Sequence, residues 1–211
     1  MAGLTEDKKL EVLNDHYKET VAEFKKTGKS RDINFLIVLS LLGVMAFQFA
    51  SPDQSQSILT KVINSQLDAD ATLSVSLLGS LVWAAILFAA IRYFQAVINI
   101  EKQYNYSHDL EQLLSKSYGG KAFTREGKSY LKDYPVFSKW VHFIYRTLFP
   151  LLLFGIVTIK IGGEWLAKNI DWLPVVLDSI IYGALVVSII LYMYSLRRTE
   201  KHTEKDLSMV K

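Results

Sequence analysis

The sequence has no cysteine, only 4 prolines in 211 residues, and a formal net charge of just +3. Without cysteine there is no disulfide framework, thiolate zinc site, iron–sulfur cluster or thiol nucleophile. The small charge surplus marks no nucleic-acid surface, so no direct nucleic-acid contact is expected. Motifs are equally scarce: HExxH, GxSxG, GxxxxGK[ST] and GxGxxG are all missing. Zinc-hydrolase, serine-hydrolase, P-loop and dinucleotide signatures are therefore lacking. These gaps point away from an enzyme, and neither a cofactor nor a metal is expected.

Half of the residues are hydrophobic and 21% are charged, yet the mean hydropathy is +0.18. Charged and apolar residues must be segregated along the chain to give such an average, as in a protein that crosses a membrane several times. Four stretches approach the roughly 20 helical residues that span about 30 Å of hydrocarbon. They run over 33–50, 72–98, 139–162 and 173–196, and each must be helical, because an apolar run in lipid satisfies its own backbone. The expected fold is an all-α integral membrane protein with four transmembrane helices. The charged segment 1–32 ahead of the first span makes a cleavable signal peptide unexpected. Pro150 inside the third span removes one backbone donor and predicts a kink near the carbonyl of Arg146, whereas Pro174 falls in the first turn of the fourth.

Lys and Arg set the expected orientation. Seven lie in 1–32, nine between Arg92 and Arg146 and five after Leu196, against only Lys61, Lys160 and Lys168 elsewhere. The positive-inside rule then places both termini and 99–138 in the cytoplasm, with 51–71 and 163–172 outside. The expected location is the bacterial inner membrane.

The soluble parts also read as helices. Leu10, Leu13, Tyr17, Val21 and Phe24 recur at steps of three and four, which predicts an amphipathic N-terminal helix over 1–32, interrupted at Gly28-Lys29. Beyond Arg92 no Gly or Pro occurs until Gly119, so the second span is expected to continue as a cytoplasmic helical extension between the second and third spans, followed by a short helix from Thr124. Leu10, Leu13, Tyr17 and Phe24 on one arm and Tyr104, Leu110, Leu113 and Leu114 on the other form an expected assembly surface. The outer loop 51–71 should carry a short interfacial helix around Ile58 to Leu67. The segment 197–211 reads as a basic cytoplasmic tail.

Three constellations carry candidate chemistry. Lys160, Asp178 and Tyr182 form an expected polar cluster within the membrane, with Lys160 and Asp178 as a clasp and Tyr182 one turn deeper. An intramembrane carboxylate costs about 2.5–3.5 kcal/mol on insertion scales and needs a partner. Lys116, Lys121, Arg125 and Lys128, with Arg197 and Arg198, are expected to attract phosphate or lipid headgroups. His108 and Glu111 form an HxxE pair on the extension; it lacks a second copy and reads as a solvated, salt-bridged face. Ser76, Ser80 and Ala84, with Ser179 and Gly183, are small residues expected to permit close helix packing.

The layout looks like that of small bacterial membrane effectors and sensors in stress or anti-phage systems. The expectation is a non-enzymatic inner-membrane protein that contacts lipids, assembles with itself or a cytoplasmic partner, and senses or perturbs the membrane. The competing class is a small transporter or ion-channel subunit built on Lys160 and Asp178.

Overall fold

The computed structural model describes residues 6–67, 75–117, 136–167 and 172–209. Among them there are helices and no strands: α1 (Glu6–Ala50), α2 (Pro52–Leu67), α3 (Val75–Ser117), α4 (Val136–Phe143), α5 (Phe149–Trp165) and α6 (Trp172–Met209). A single π-helical turn, Ile144–Leu148, joins α4 to α5. Four of the continuous helical runs are long and apolar enough to cross a membrane.

The expected break at Gly28 does not occur. The helix α1 continues through it for 45 residues, because one interior glycine costs only about 1 kcal/mol against alanine and the residues around it pack. Leu10, Tyr17, Phe24, Arg31, Val38 and Met45, seven residues apart, are all buried or half-buried. The same repeat runs through α3 as Trp83, Ala90, Val97, Tyr104 and Glu111, and through α6 as Asp178, Leu185 and Tyr192. A 3.5-residue period keeps one seam of a helix turned toward its neighbours, as in left-handed bundles. Outside the seam, the exposed residues of α1 change character. Up to Lys29 they are largely Lys, Glu and Asp, whereas Ile33, Leu36, Ile37, Leu39, Val44, Phe47 and Phe49 are exposed apolar side chains. An apolar exterior over some 18 residues suits lipid rather than water.

Pro52 ends α1. The residue before a proline is pushed out of the helical region, and Ser51 forms a one-residue joint whose carbonyl accepts from Ser55 N at 3.0 Å. Pro52 then occupies the first turn of α2, with Asp53 at the positive end of its dipole. The expected outer-loop helix is thus longer than its apolar face suggested. The expected outer loop 163–172 is shorter, since α5 reaches Trp165 and α6 begins at Trp172. Helix α6 also runs on through the expected tail to Met209. Gly119 and the helix expected from Thr124 lie outside the described residues.

Packing divides the chain into two compact units, 1–32 with 94–147 and 192–211, and 33–93 with 148–191. The first has Phe94, Ala96, Val97, Leu110, Leu114, Tyr192 and Leu196 in its core. Phe94 stacks on Tyr192 with ring centroids 4.5 Å apart, and the Arg31 guanidinium lies 4.5 Å from the Tyr145 ring centroid. The second unit is built on Val38, Leu42, Met45, Trp83, Ile86, Ala90, Leu153, Val157, Leu185 and Ile189. Phe35, Tyr93 and Phe149 form an aromatic trio within it, Phe149 standing 4.6 Å from Phe35 and 5.0 Å from Tyr93.

The π turn answers the question raised by Pro150. An α-helix would present the Arg146 carbonyl to the amide that Pro150 lacks. That carbonyl instead accepts from the Tyr192 hydroxyl at 2.8 Å, and the helix absorbs the mismatch in the five residues before Phe149.

Candidate functional site

The polar cluster belongs to the second unit and sits where α5 ends and α6 begins. Lys160 and Glu164 are one turn apart on α5, and Lys160 Nζ lies 2.7 Å from Glu164 Oε1. The Trp83 indole, 1% exposed, donates to the same oxygen across a long 3.4 Å. Asp178 of α6 is 3% exposed. The Ser80 hydroxyl and the Glu164 carboxyl are the neighbours of its carboxyl, with the Lys160 charge close enough to act on it. Sequence reasoning placed Lys160 and Asp178 together, and the structure brings them into one cluster, but the short contact of Lys160 is to Glu164. Glu164 was missed because 163–172 read as loop; the signal was its i, i+4 spacing from Lys160. Tyr182 serves a different partner from the one expected. Its hydroxyl lies 3.1 Å from Thr158 Oγ1, and Thr158 in turn donates to the Phe154 carbonyl.

The cluster lies close to the edge marked by Trp165 and Trp172, whose rings meet edge to face at 6.2 Å. The Trp165 indole donates to Ser179 Oγ at 3.1 Å. Asp178 lies six residues into α6 from Trp172, or about 9 Å at helical rise. Lys160 leans toward the Phe49 ring, 5.9 Å away. Gly163 lets that ring approach, since a Cβ there would stand 2.7 Å from Phe49 Cε2. Deeper in this unit, past Thr158 and Tyr182, the buried side chains include Val38, Leu42, Ile86, Leu153, Leu185 and Ile189, and Tyr93 is buried as well. Among the described residues, no chain of buried polar groups continues through them.

The small residues behave differently from the packing expected of them. Ser80 is buried, but Ala84 and Gly183 are exposed and a Cβ on Gly183 would meet nothing within 4 Å. Their faces are free because the 3.5-residue seam of α3 and α6 falls on other positions.

In the first unit the expected assembly residues turn inward in part. Leu110 and Leu114 are buried, Leu10, Leu13, Tyr17, Phe24 and Tyr104 are half-buried, and Leu113 is 51% exposed. Glu111 is 2% exposed and accepts the Tyr17 hydroxyl at 3.0 Å, which corrects its reading as part of a solvated face. Val21, Phe24, Tyr104 and Ser107 line a small recess beside it. Glu101 Oε1 is 3.4 Å from His142 Nε2 and 3.7 Å from the Arg146 guanidinium. No metal-ligating group of His, Asp and Glu occurs among the described residues. Of the expected headgroup contacts, Arg197 and Arg198 are exposed on α6. Lys121, Arg125 and Lys128, and the side chains of Lys116 and His108, lie outside the described residues. Compared with known proteins, the chain matches no family, no curated protein and no solved structure.

Proposed function

We propose that this chain is a non-enzymatic four-span protein of the bacterial inner membrane that works by association, with itself or a cytoplasmic partner, and so senses or perturbs the bilayer. Both termini and 99–138 face the cytoplasm in this reading, on the strength of 21 Lys and Arg in 1–32, 92–146 and 197–211 against 3 elsewhere. The observation that carries it is the distribution of polarity in the second unit. A conducting protein needs polar groups at successive depths, whereas among the described residues of this unit the buried side chains past Thr158 and Tyr182 are mostly Leu, Ile and Val, with Tyr93 among them. The first unit offers the surface for association: Val12, Leu113 and Tyr106 are exposed apolar or aromatic groups, as are Val136, Phe137, Trp140, Phe143 and Tyr194. In the same reading Lys116, Lys121, Arg125 and Lys128, with Arg197 and Arg198, attract phosphate or anionic headgroups, each worth about 1 kcal/mol near the surface.

The test uses the absence of native cysteine. Lys128→Cys and Asn64→Cys, labelled with an impermeant reagent in intact cells, should react only at position 64. Leu113→Cys should crosslink in native membranes, to a second copy or to a partner, while the wild-type chain in proteoliposomes passes no ions. Labelling at 128 alone overturns the topology. A monomer without crosslinks, or a chain that conducts, overturns the association reading in favour of a transporter or channel subunit.

A further inference from the structure

Among the described residues, the cluster at the ends of α5 and α6 is one positive charge short. Lys160 supplies one cation against the carboxylates of Glu164 and Asp178, and it is committed to Glu164 Oε1 at 2.7 Å. Trp83 adds its N–H to that same oxygen. Glu164 Oε2 and Asp178 Oδ1 are left buried with no hydrogen-bond partner among the described residues. Asp178 is 3% exposed, and the neighbours of its carboxyl are Ser80 and the Glu164 carboxyl itself. Two carboxylates that close repel strongly in a medium of low dielectric, and both oxygens can only accept. Among the described residues, the charged and titratable groups facing Asp178 are Lys160 and Glu164 of α5. Ser80 of α3 faces it, Trp83 of α3 reaches Glu164 instead, and Tyr182 of α6 is engaged with Thr158.

We propose that Asp178 and Glu164 bind one monovalent cation, a proton or an alkali metal ion, between Asp178 Oδ1 and Glu164 Oε2. A single positive charge neutralises the cluster, whereas a divalent ion would overshoot and sit against the Lys160 ammonium. Glu164 is the penultimate residue of α5, next to Trp165 at the membrane edge, so the occupant enters and leaves from the water on that side without crossing the apolar core. The site therefore reports on the cation content of one aqueous compartment. It stands independently of association, because it rests on residues of the second unit alone.

The full chain in lipid nanodiscs provides the experiment, read as thermal stability in two series. One varies pH in choline chloride; the other varies Li⁺, Na⁺ or K⁺ at fixed alkaline pH, with choline holding the ionic strength. A ligand bound only by the folded state changes the folded-to-unfolded ratio by up to tenfold for each tenfold change in its concentration above the dissociation constant. Asp178→Asn gives Glu164 Oε2 an amide donor in place of the cation and should abolish this response. Glu164→Gln does the same from the other side and serves if the first variant does not fold. A pH response lost in the variants, with a carboxylic-acid carbonyl band in the wild-type infrared spectrum, identifies a proton; an alkali response without that band identifies a metal ion. Responses to all these ions that are the same in wild type and variants overturn the proposal. If neither variant folds, a wild-type chain with no alkali response and no carboxylic-acid band overturns it equally.

Discussion

Removing one hydroxyl tests the reading of the π turn. Tyr192 is 2% exposed and donates to the Arg146 carbonyl at 2.8 Å, so Tyr192→Phe keeps the packed ring and deletes only the donor. A buried carbonyl without a partner costs about 1–3 kcal/mol. Side-chain hydrogen bonds in membrane proteins average about 0.6 and reach about 1.7 kcal/mol, because the unfolded state in lipid also finds partners. Pro150, four residues on, supplies no amide to the Arg146 carbonyl, so about 1–2 kcal/mol is expected. Pro150→Ala returns the missing amide and offers the carbonyl its ordinary helical donor. In that background Tyr192→Phe should cost less than half as much. A double-mutant cycle on equilibrium unfolding in mixed micelles measures the difference, and the small cavity left by the proline ring cancels between its two arms. Equal costs in the two backgrounds, within about 0.5 kcal/mol, would refute the argument that Tyr192 compensates for the proline.

Other substitutions probe the remaining parts of the structure. Gly28→Ala should stabilise the chain by about 0.5–1 kcal/mol in thermal melts, since an added Cβ meets nothing within 4 Å and alanine is the better helix former; a loss of stability would argue for a break at Gly28. Gly163→Ala should cost about 1–3 kcal/mol through overpacking against the Phe49 ring edge at 2.7 Å, and Phe49→Leu in the same chain should recover most of it. Tyr17→Phe should cost about 1–2 kcal/mol by taking a hydroxyl donor from the buried Glu111 carboxylate; unchanged denaturation would mean that water replaces it. Leu13→Asp puts a charge on the half-buried seam of α1 and should lower the melting temperature while membrane insertion is retained.

The helices were legible wherever periodicity or apolar length was strong. The 33–50 run ends at Ala50 in sequence and structure alike because Pro52 follows it. The continuation of α3 beyond Arg92 was equally readable, since nothing in that stretch disfavours a helix. Gly28 misled because local propensity was allowed to outweigh the pattern around it. The apolar steps that run from Leu10 to Phe24 arrive in phase at Val38 and Met45, and a helix broken at Gly28 would have had no reason to keep that phase. The tail after Leu196 shows what charge alone leaves unread. Its charge reads only as a basic tail and leaves its secondary structure open; it lacks both glycine and proline, and an existing helix propagates more readily than a new one nucleates.

The site depended on which face a charged residue occupies, and here the phase of the repeat held the information that residue type obscured. Asp178 stands seven residues before Leu185 and fourteen before Tyr192, both fully or nearly fully buried. Glu111 stands seven after Tyr104 and fourteen after Val97. Each acid thus falls on the seam of its helix, and a helix cannot turn one residue outward without taking its neighbours along. Burial was forced by the apolar positions in register with the acids, and each acid then had to be met by a donor or a cation. Glu111 is met by Tyr17. Asp178 meets Ser80 and another carboxyl, which is why its remaining oxygen marks the place where the structure calls for a ligand.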